Sequence, residues 1–256
     1  MRLWPRRRSP RILALLTFRN EMRFLPDWFE NVRAQVDGVI ALDDGSTDGS
    51  TELVARQREV LQLIRIPPAD PHLWDDAMNH RRLVETSWQY NPDWLVAIDA
   101  DERIEIEFRE RAEREIARAR RKGHRAWRVH VREIWDDPVH YRADGIWGLK
   151  SAARFFEARR DHQFHMQQLH CHWAPLNSME NGDFPQADLM LYHLRMLREG
   201  DRKSRQARYE ALDPDRKLQA IGYTYMTDPT GLQLERIPPA REYQPLPQPP
   251  PESRRV

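Results

Sequence analysis

Short apolar runs at Ile12–Leu16 (ILALL), Gly38–Leu42 (GVIAL), Leu61–Ile66 (LQLIRI) and Trp94–Ile98 (WLVAI) alternate with longer segments of helical period. Met22, Leu25, Trp28, Phe29, Val32 and Val36 form one apolar stripe, with Pro26 near enough to its start to be tolerated. Ser46 or Asp48 is placed to cap a second helix running through Leu53 and Val54 to about Glu59. A third spans Leu73 to Tyr90 and is closed by Asn91 and Pro92. Uninterrupted apolar runs are what strands buried on both faces require, and strands alternating with helices at this rhythm pack through right-handed βαβ crossovers. The expected class is therefore α/β, a Rossmann-like, mostly parallel sheet flanked by helices, with ligands at the carboxyl ends of its strands.

Those ends carry the polar motifs. TFRNE (17–21) follows the first run, LDDGSTDGS (42–50) closes the second, and IDADE (98–102) closes the fourth. Asp99 and Asp101, one position apart at a strand end, are the oxygen ligands that a hard divalent cation takes while it holds a diphosphate. Asp43 and Asp44 can accept from a uracil-type N–H or from ribose hydroxyls. Asp, Gly and Ser are equally the residues of an ordinary turn with a helix cap.

As an ordered set on one α/β run, TFRNE, LDDGSTDGS and IDADE resemble family 2 glycosyltransferases of the GT-A fold. The resemblance covers Ile12 to about Glu105 and continues only in pieces such as SAARFF and LYHLRM. It implies an inverting, metal-dependent hexosyltransferase-type enzyme moving a sugar from a UDP- or GDP-sugar to an acceptor hydroxyl. Residues 11–105 form the donor half and 106–215 a mixed α/β acceptor half. It implies Mn²⁺ or Mg²⁺ on Asp101 and Asp99, with Asp99 also a contact for ribose or a metal-bound water, and His193 as third ligand. Asp43 and Asp44 answer to the nucleoside, Thr17, Arg19 and Asn20 to the strand-one motif, and Asn79, with Arg81 and Arg82, to the donor or its phosphates. The acceptor is a glycan, a lipid-linked sugar or a small molecule.

The base that takes the acceptor's proton is open. Where related enzymes place a His-Glu pair, QQLHCHWAP has Cys171. Glu180, Asp183 and His170 are the catalytic candidates beside Asp101, with Asp136, Asp137, Asp144 and His172 as further choices. His170 and His172, with His162 and His165, also have the spacing for zinc, and Trp127, Trp135, Trp147 and Trp173 suit either sugar-binding walls or core. Arg198–Tyr209 is a basic helix suited to a phosphate, an anionic surface or solvent.

Composition narrows the partners. The 41 basic and 40 acidic side chains leave +1, which gives no argument for nucleic acid. Cys171, the single cysteine, excludes an intrachain disulfide and any multi-cysteine metal site. Residues 1–10 are a basic leader without a cleavage pattern, so a cytoplasmic protein is expected, with peripheral contact at the inner membrane face left open. Residues 237–256 are Pro-rich and expected to be disordered or polyproline II. Two other readings stand beside the transferase: a sugar-nucleotide-binding relative without turnover, and a nucleotidyltransferase, although TFRNE lacks the glycine of a phosphate loop. A dehalogenase-type phosphatase is disfavoured, since its nucleophilic Asp belongs after the first strand.

Overall fold

The computed structural model describes residues 9–70, 72, 75–166, 171–217 and 219–247. The strands are β1 (Ile12–Phe18), β2 (Val39–Asp44), β3 (Val60–Ile66), β4 (Trp94–Ala97), β5 (Glu102–Ile104), β6 (Ala126–Trp135), β7 (Asp137–Arg142), β8 (Ser151–Glu157), β9 (Gln186–His193) and β10 (Leu234–Arg236). The helices are α1 (Leu25–Val32), α2 (Ser50–Ala55), α3 (Asp76–Ser87), α4 (Phe108–Lys122), α5 (Gly145–Gly148) and α6 (Glu199–Leu212).

β3, β2, β1 and β4 lie side by side and all parallel. The chain winds outward from β1 to β3 and then returns to place β4 on the other side of β1, so the crevice between β1 and β4 is a topological switch point. β8 continues the sheet antiparallel to β4, β6 pairs antiparallel with β8, and β9 runs parallel to β6. β5 adds antiparallel to β9, while β7 and β10 extend the far edge. This is the expected α/β architecture, a parallel first half joined to a mixed second half.

Every residue of β1 and β2 is buried, which explains their unbroken apolar spelling. Trp28 and Phe29 of α1 and Phe108 and Ile116 of α4 fill one face against Ile12, Ala14 and Val96. Leu83 and Val84 of α3 fill the other against Leu13, Leu15 and Leu95. Each such side chain contributes about 1.5–3 kcal/mol by leaving water. Pro26 sits in the first turn of α1, where no N–H is missed. Asp75 caps α3 by accepting from Met78 N–H at 2.9 Å. α2 starts from Gly49 in the left-handed region, φ 91°, and Asp48 accepts from Ser50 N–H instead of serving as the cap residue itself. Among the described residues no helix is long and apolar enough to cross a membrane.

The tail departs from expectation. Residues 237–247 are packed, while 248–256, like 1–8 of the leader, lie outside the described residues. Ile237 and Tyr243 join Tyr192, Leu194 and Phe24 in an apolar cluster, and Tyr243 is fully buried and stacked on Tyr192 at 5.1 Å. Its hydroxyl donates to Pro138 O at 2.8 Å, and Arg241 pairs with Glu105 at 2.7 Å. Asn31 of α1 donates to Gln244 O at 2.8 Å, so the tail touches the first half directly. Prolines and polar letters outnumber the aliphatics here, and composition misses what two buried side chains and one ion pair achieve. Replacing Tyr243 with Ala is expected to cost about 3 kcal/mol, read as a lower urea midpoint. A loss under about 0.5 kcal/mol would mean the tail is not part of the core.

Candidate active site

The loop Asp99–Asp101 leaves β4 at the switch point and is held from beneath by Arg103. That guanidinium is 1% exposed and donates to Ala100 O at 3.1 Å, Glu102 O at 2.7 Å and Phe24 O at 2.9 Å. Burial pushes its pKa down to about 10, and the three carbonyls engage both terminal nitrogens while Nε has no partner among the described residues.

Above it lies a chain of ion pairs. Asp99 Oδ2 accepts from Arg154 Nη2 at 2.7 Å, and Arg154 also reaches Glu102 at 3.1 Å. Asp101 Oδ2 accepts from Arg195 Nε at 2.7 Å and stands 3.2 Å from His193 Nε2. His193 Nδ1 lies 2.5 Å from Glu133, which Lys150 holds from the other side, and Arg195 continues to Glu21. Glu133 and His193 face each other in the β6–β9 register, and His193 faces Glu102 across β5.

These contacts set the charges. Burial alone would raise the Asp101 carboxyl, but His193 and Arg195 hold it well below the usual range. Burial likewise works against the charge on His193, yet Glu133 and Asp101 raise its pKa to about 9. Glu21 is pushed up to about 7 by burial and then by Asp101, and Glu102 to about 7 by burial, despite Arg154.

Of the nucleotide-binding candidates, Asp43 is committed to its own turn. Oδ1 accepts from Ser46 N–H at 2.8 Å and Oδ2 from the Thr51 hydroxyl. Asp44 Oδ2 stands 3.1 Å from His72 Nε2. Asn20, in the left-handed region at φ 55°, joins the two turns: its N–H donates to Ser46 Oγ and its Oδ1 accepts from Thr47 N–H. Thr17 Oγ1, Arg19 Nε, Asn79 Nδ2 and Arg154 Nη1 are buried polar atoms without a hydrogen-bond partner among the described residues. Arg81 pairs with Glu85 on the surface, and Arg82 is exposed.

The catalytic candidates of the second half are scattered. Glu180 binds His124 Nδ1 at 2.7 Å, and His124 lies two residues before the start of β6, opposite the edge that carries Asp99. Asp183 pairs with Arg128 at 3.0 Å, and the Phe184 N–H and Arg128 lower its pKa. Asp136 is taken by Arg202, Asp144 by Arg142, and Asp137 accepts from Val139 N–H. His170 lies outside the described residues. His172 packs on Phe184, His165 on His172, and Cys171 Sγ stands 3.3 Å from His80 Nδ1, its thiol pushed up to about 12 by burial. No group of His, Cys, Asp and Glu able to hold zinc forms among the described residues. Trp127 is core, Trp135 and Trp147 pack on each other at 5.7 Å, and Trp173 stacks on His80 at 3.5 Å.

Asp99, Asp101 and His193 have donor atoms that suit Mn²⁺, but their arrangement does not fit a cation. Arg154 and Arg195 claim the carboxylates, and both nitrogens of His193 face carboxylate oxygens. Among the described residues no three ligating side chains converge.

The sequence reading missed Glu21, Glu133, Arg154, Lys150 and Arg195 as members of this cluster. Arg154 and Arg195 lay within SAARFF and LYHLRM, and Glu21 closes TFRNE; the signal was present, but their partners are fixed only by the fold.

No family model matches the chain. An uncharacterized protein of Mycobacterium tuberculosis is 29% identical over 106 residues, which is 40% of this chain and 26% of that protein. A Mycobacterium bovis protein matches to the same extent, so the match spans about a quarter of the length of these curated relatives. Among solved structures, S. aureus TarS 1-349 aligns over 77% of this chain and 64% of its own, at TM-score 0.44 and 12% identity. Mycobacterium tuberculosis glucosyl-3-phosphoglycerate synthase, in complex with Mn²⁺ and UDP-Glc, aligns over 49% of this chain and 44% of its own, at TM-score 0.35 and 16% identity. Likeness this slight carries no weight for function; the architecture stands on the strand order of the chain itself.

Within the Glu133–His193–Asp101 chain, His193 makes stability fall as pH rises, while the two carboxylates lose theirs only on the acid side. A raised histidine pKa contributes fully below about 6.5 and is lost as pH rises through about 9. His193→Gln should therefore shrink the fall in unfolding free energy between pH 6 and pH 10 by about 3 kcal/mol at most. Equal falls in both proteins would show that this imidazole does not hold its second proton.

Proposed function

We propose that the chain is a glycosyltransferase that binds a nucleotide diphosphate-sugar, UDP- or GDP-linked, in the crevice between β1 and β4. One observation carries the reading. Thr17, Arg19 and Asn79, named from the sequence as donor contacts, each have a buried polar atom that no group of the described residues satisfies, as does Arg154 beside Asp99. Buried polar atoms are nearly always paired, and a ligand at the switch point supplies what these lack. Orphaned atoms also occur elsewhere, among them the indole N–H groups of Trp28 and Trp127 in the apolar core and the Nε atoms of Arg111 and Arg132 outside it.

Electrostatics agree. Carboxylates alone would repel a diphosphate, but Arg154, Arg195, His193 and Lys150 answer Asp99, Asp101, Glu133 and the two glutamates held near pH 7. The cluster is thus close to neutral, and an anionic donor can approach it. In the proposed reaction an acceptor hydroxyl attacks the anomeric carbon from the face opposite the diphosphate. The bond to the diphosphate breaks, the configuration inverts, and a base takes the hydroxyl proton. Asp183 is paired with Arg128 and Glu180 with His124, so His170 and His172 stand as the candidates for that base.

The test is a thermal-shift panel of UDP, GDP and their sugars, with and without Mn²⁺ or Mg²⁺. A ligand at about a hundred times its Kd adds roughly 2.7 kcal/mol of apparent stability. One nucleotide class is expected to raise the melting point, and Asn79→Leu to weaken that class about tenfold. A folded protein indifferent to the whole panel would sink the reading.

A further inference from the structure

Around Asp101, Arg103 is spent on backbone carbonyls, and four other cations of the described residues are claimed by carboxylates. Arg154 belongs to Asp99 and Glu102, Arg195 to Asp101 and Glu21, Lys150 to Glu133, and His193 to Glu133 and Asp101. Arg205 of α6 is different. It is half-buried beside this cluster, yet no carboxylate of the described residues pairs with it.

Its recorded hydrogen-bond contact is Nη1 to His193 Nε2, at 3.3 Å. That ring nitrogen can serve one partner, and Asp101 Oδ2 already stands 3.2 Å from it. The guanidinium lies over the Tyr209 ring, 5.5 Å from its centroid, which fixes its plane without using its N–H groups. One turn earlier, Arg202 is spent on the chain itself, donating to Met196 O at 2.7 Å and pairing with Asp136. Helical spacing puts residues 202 and 205 on one face, the first closing the fold and the second turned to the site.

Asp101 and Glu133 act on Arg205 through space, but no carboxylate oxygen of the described residues meets its N–H groups, which stay open to a further anion. Its planar fork matches two oxygens of a phosphate. We propose that Arg205 binds the diphosphate of the nucleotide donor and stabilises the charge that grows on it as the sugar leaves. This rests on the nucleotide reading of the crevice given above. It assigns to α6 a direct contact with the leaving group, and it explains why an arginine stays beside a charged imidazole with no carboxylate of its own.

The experiment compares nucleoside diphosphates with nucleosides. Binding of UDP and uridine, and of GDP and guanosine, is measured by calorimetry on wild type, Arg205→Gln and Arg205→Lys, with far-UV circular dichroism as the folding check. Arg205→Gln should weaken the preferred diphosphate roughly tenfold to a hundredfold and leave its nucleoside unchanged. Arg205→Lys should fall between, keeping charge but losing the fork. If Arg205→Gln does not fold, the Lys variant carries the same comparison, and loss confined to the diphosphate supports the assignment. A wild type that prefers the diphosphate while the variants match it within about twofold would overturn the role of Arg205 and leave the donor site standing. A wild type that binds neither ligand would remove the donor reading, and this inference with it.

Discussion

A carboxylate leaves water only when a cation or several N–H groups go with it, and this chain sinks Asp101, Glu102, Glu105 and Glu133 nearly out of sight. Everything near the end of β4 follows from that requirement. β9 must end where His193 meets both Glu133 and Asp101, β8 must present Arg154 to Asp99, and the segment after β9 must return with Arg195. The antiparallel second half is therefore the source of the counter-charges that let the first half carry acids at its strand ends, as well as a cover for the sheet.

The same logic separates the two acidic turns, which read alike as sequence. In the turn after β2 the side chain of Asp43 faces its own backbone, accepting from Ser46 N–H and Thr51, so it shapes the loop. In the turn after β4, Arg103 shapes the loop from below by gripping its carbonyls, and the aspartates are left to face other elements. A motif of acids after a strand does not say which of these it is. The residue that decides is the arginine two positions beyond Asp101.

The first half was legible because its signals are local. Strands buried on both faces have to be continuous apolar runs, helices between them have to show a 3.6 period, and the structure shifts their ends by only a few residues. The second half was not, since its pairings are mixed, mostly antiparallel with β9 parallel to β6, interrupted by bulges at Trp127/Arg128 and Ile134/Trp135, and chosen by partners far along the chain. Glu180 and Asp183 looked available because an acid in a loop looks free; His124 and Arg128, more than fifty positions away, take them. Arg154 and Arg195 give no such signal, because a lone arginine in a strand-like run has no pattern to betray its partner.

The buried Tyr243 bears on how such a chain becomes a protein. Its cluster draws on Phe24, Ile134, Tyr192 and Leu194, and Asn31 of α1 reaches both Ile104 and Gln244. Elements near the start of the chain thus finish packing against residues made more than two hundred positions later. The parallel strands can assemble as they emerge from the ribosome, but the wall behind β5 and β9 stays open until Tyr243 is released. A nascent chain stalled before that point would expose a ready-made apolar surface, a natural handle for a chaperone.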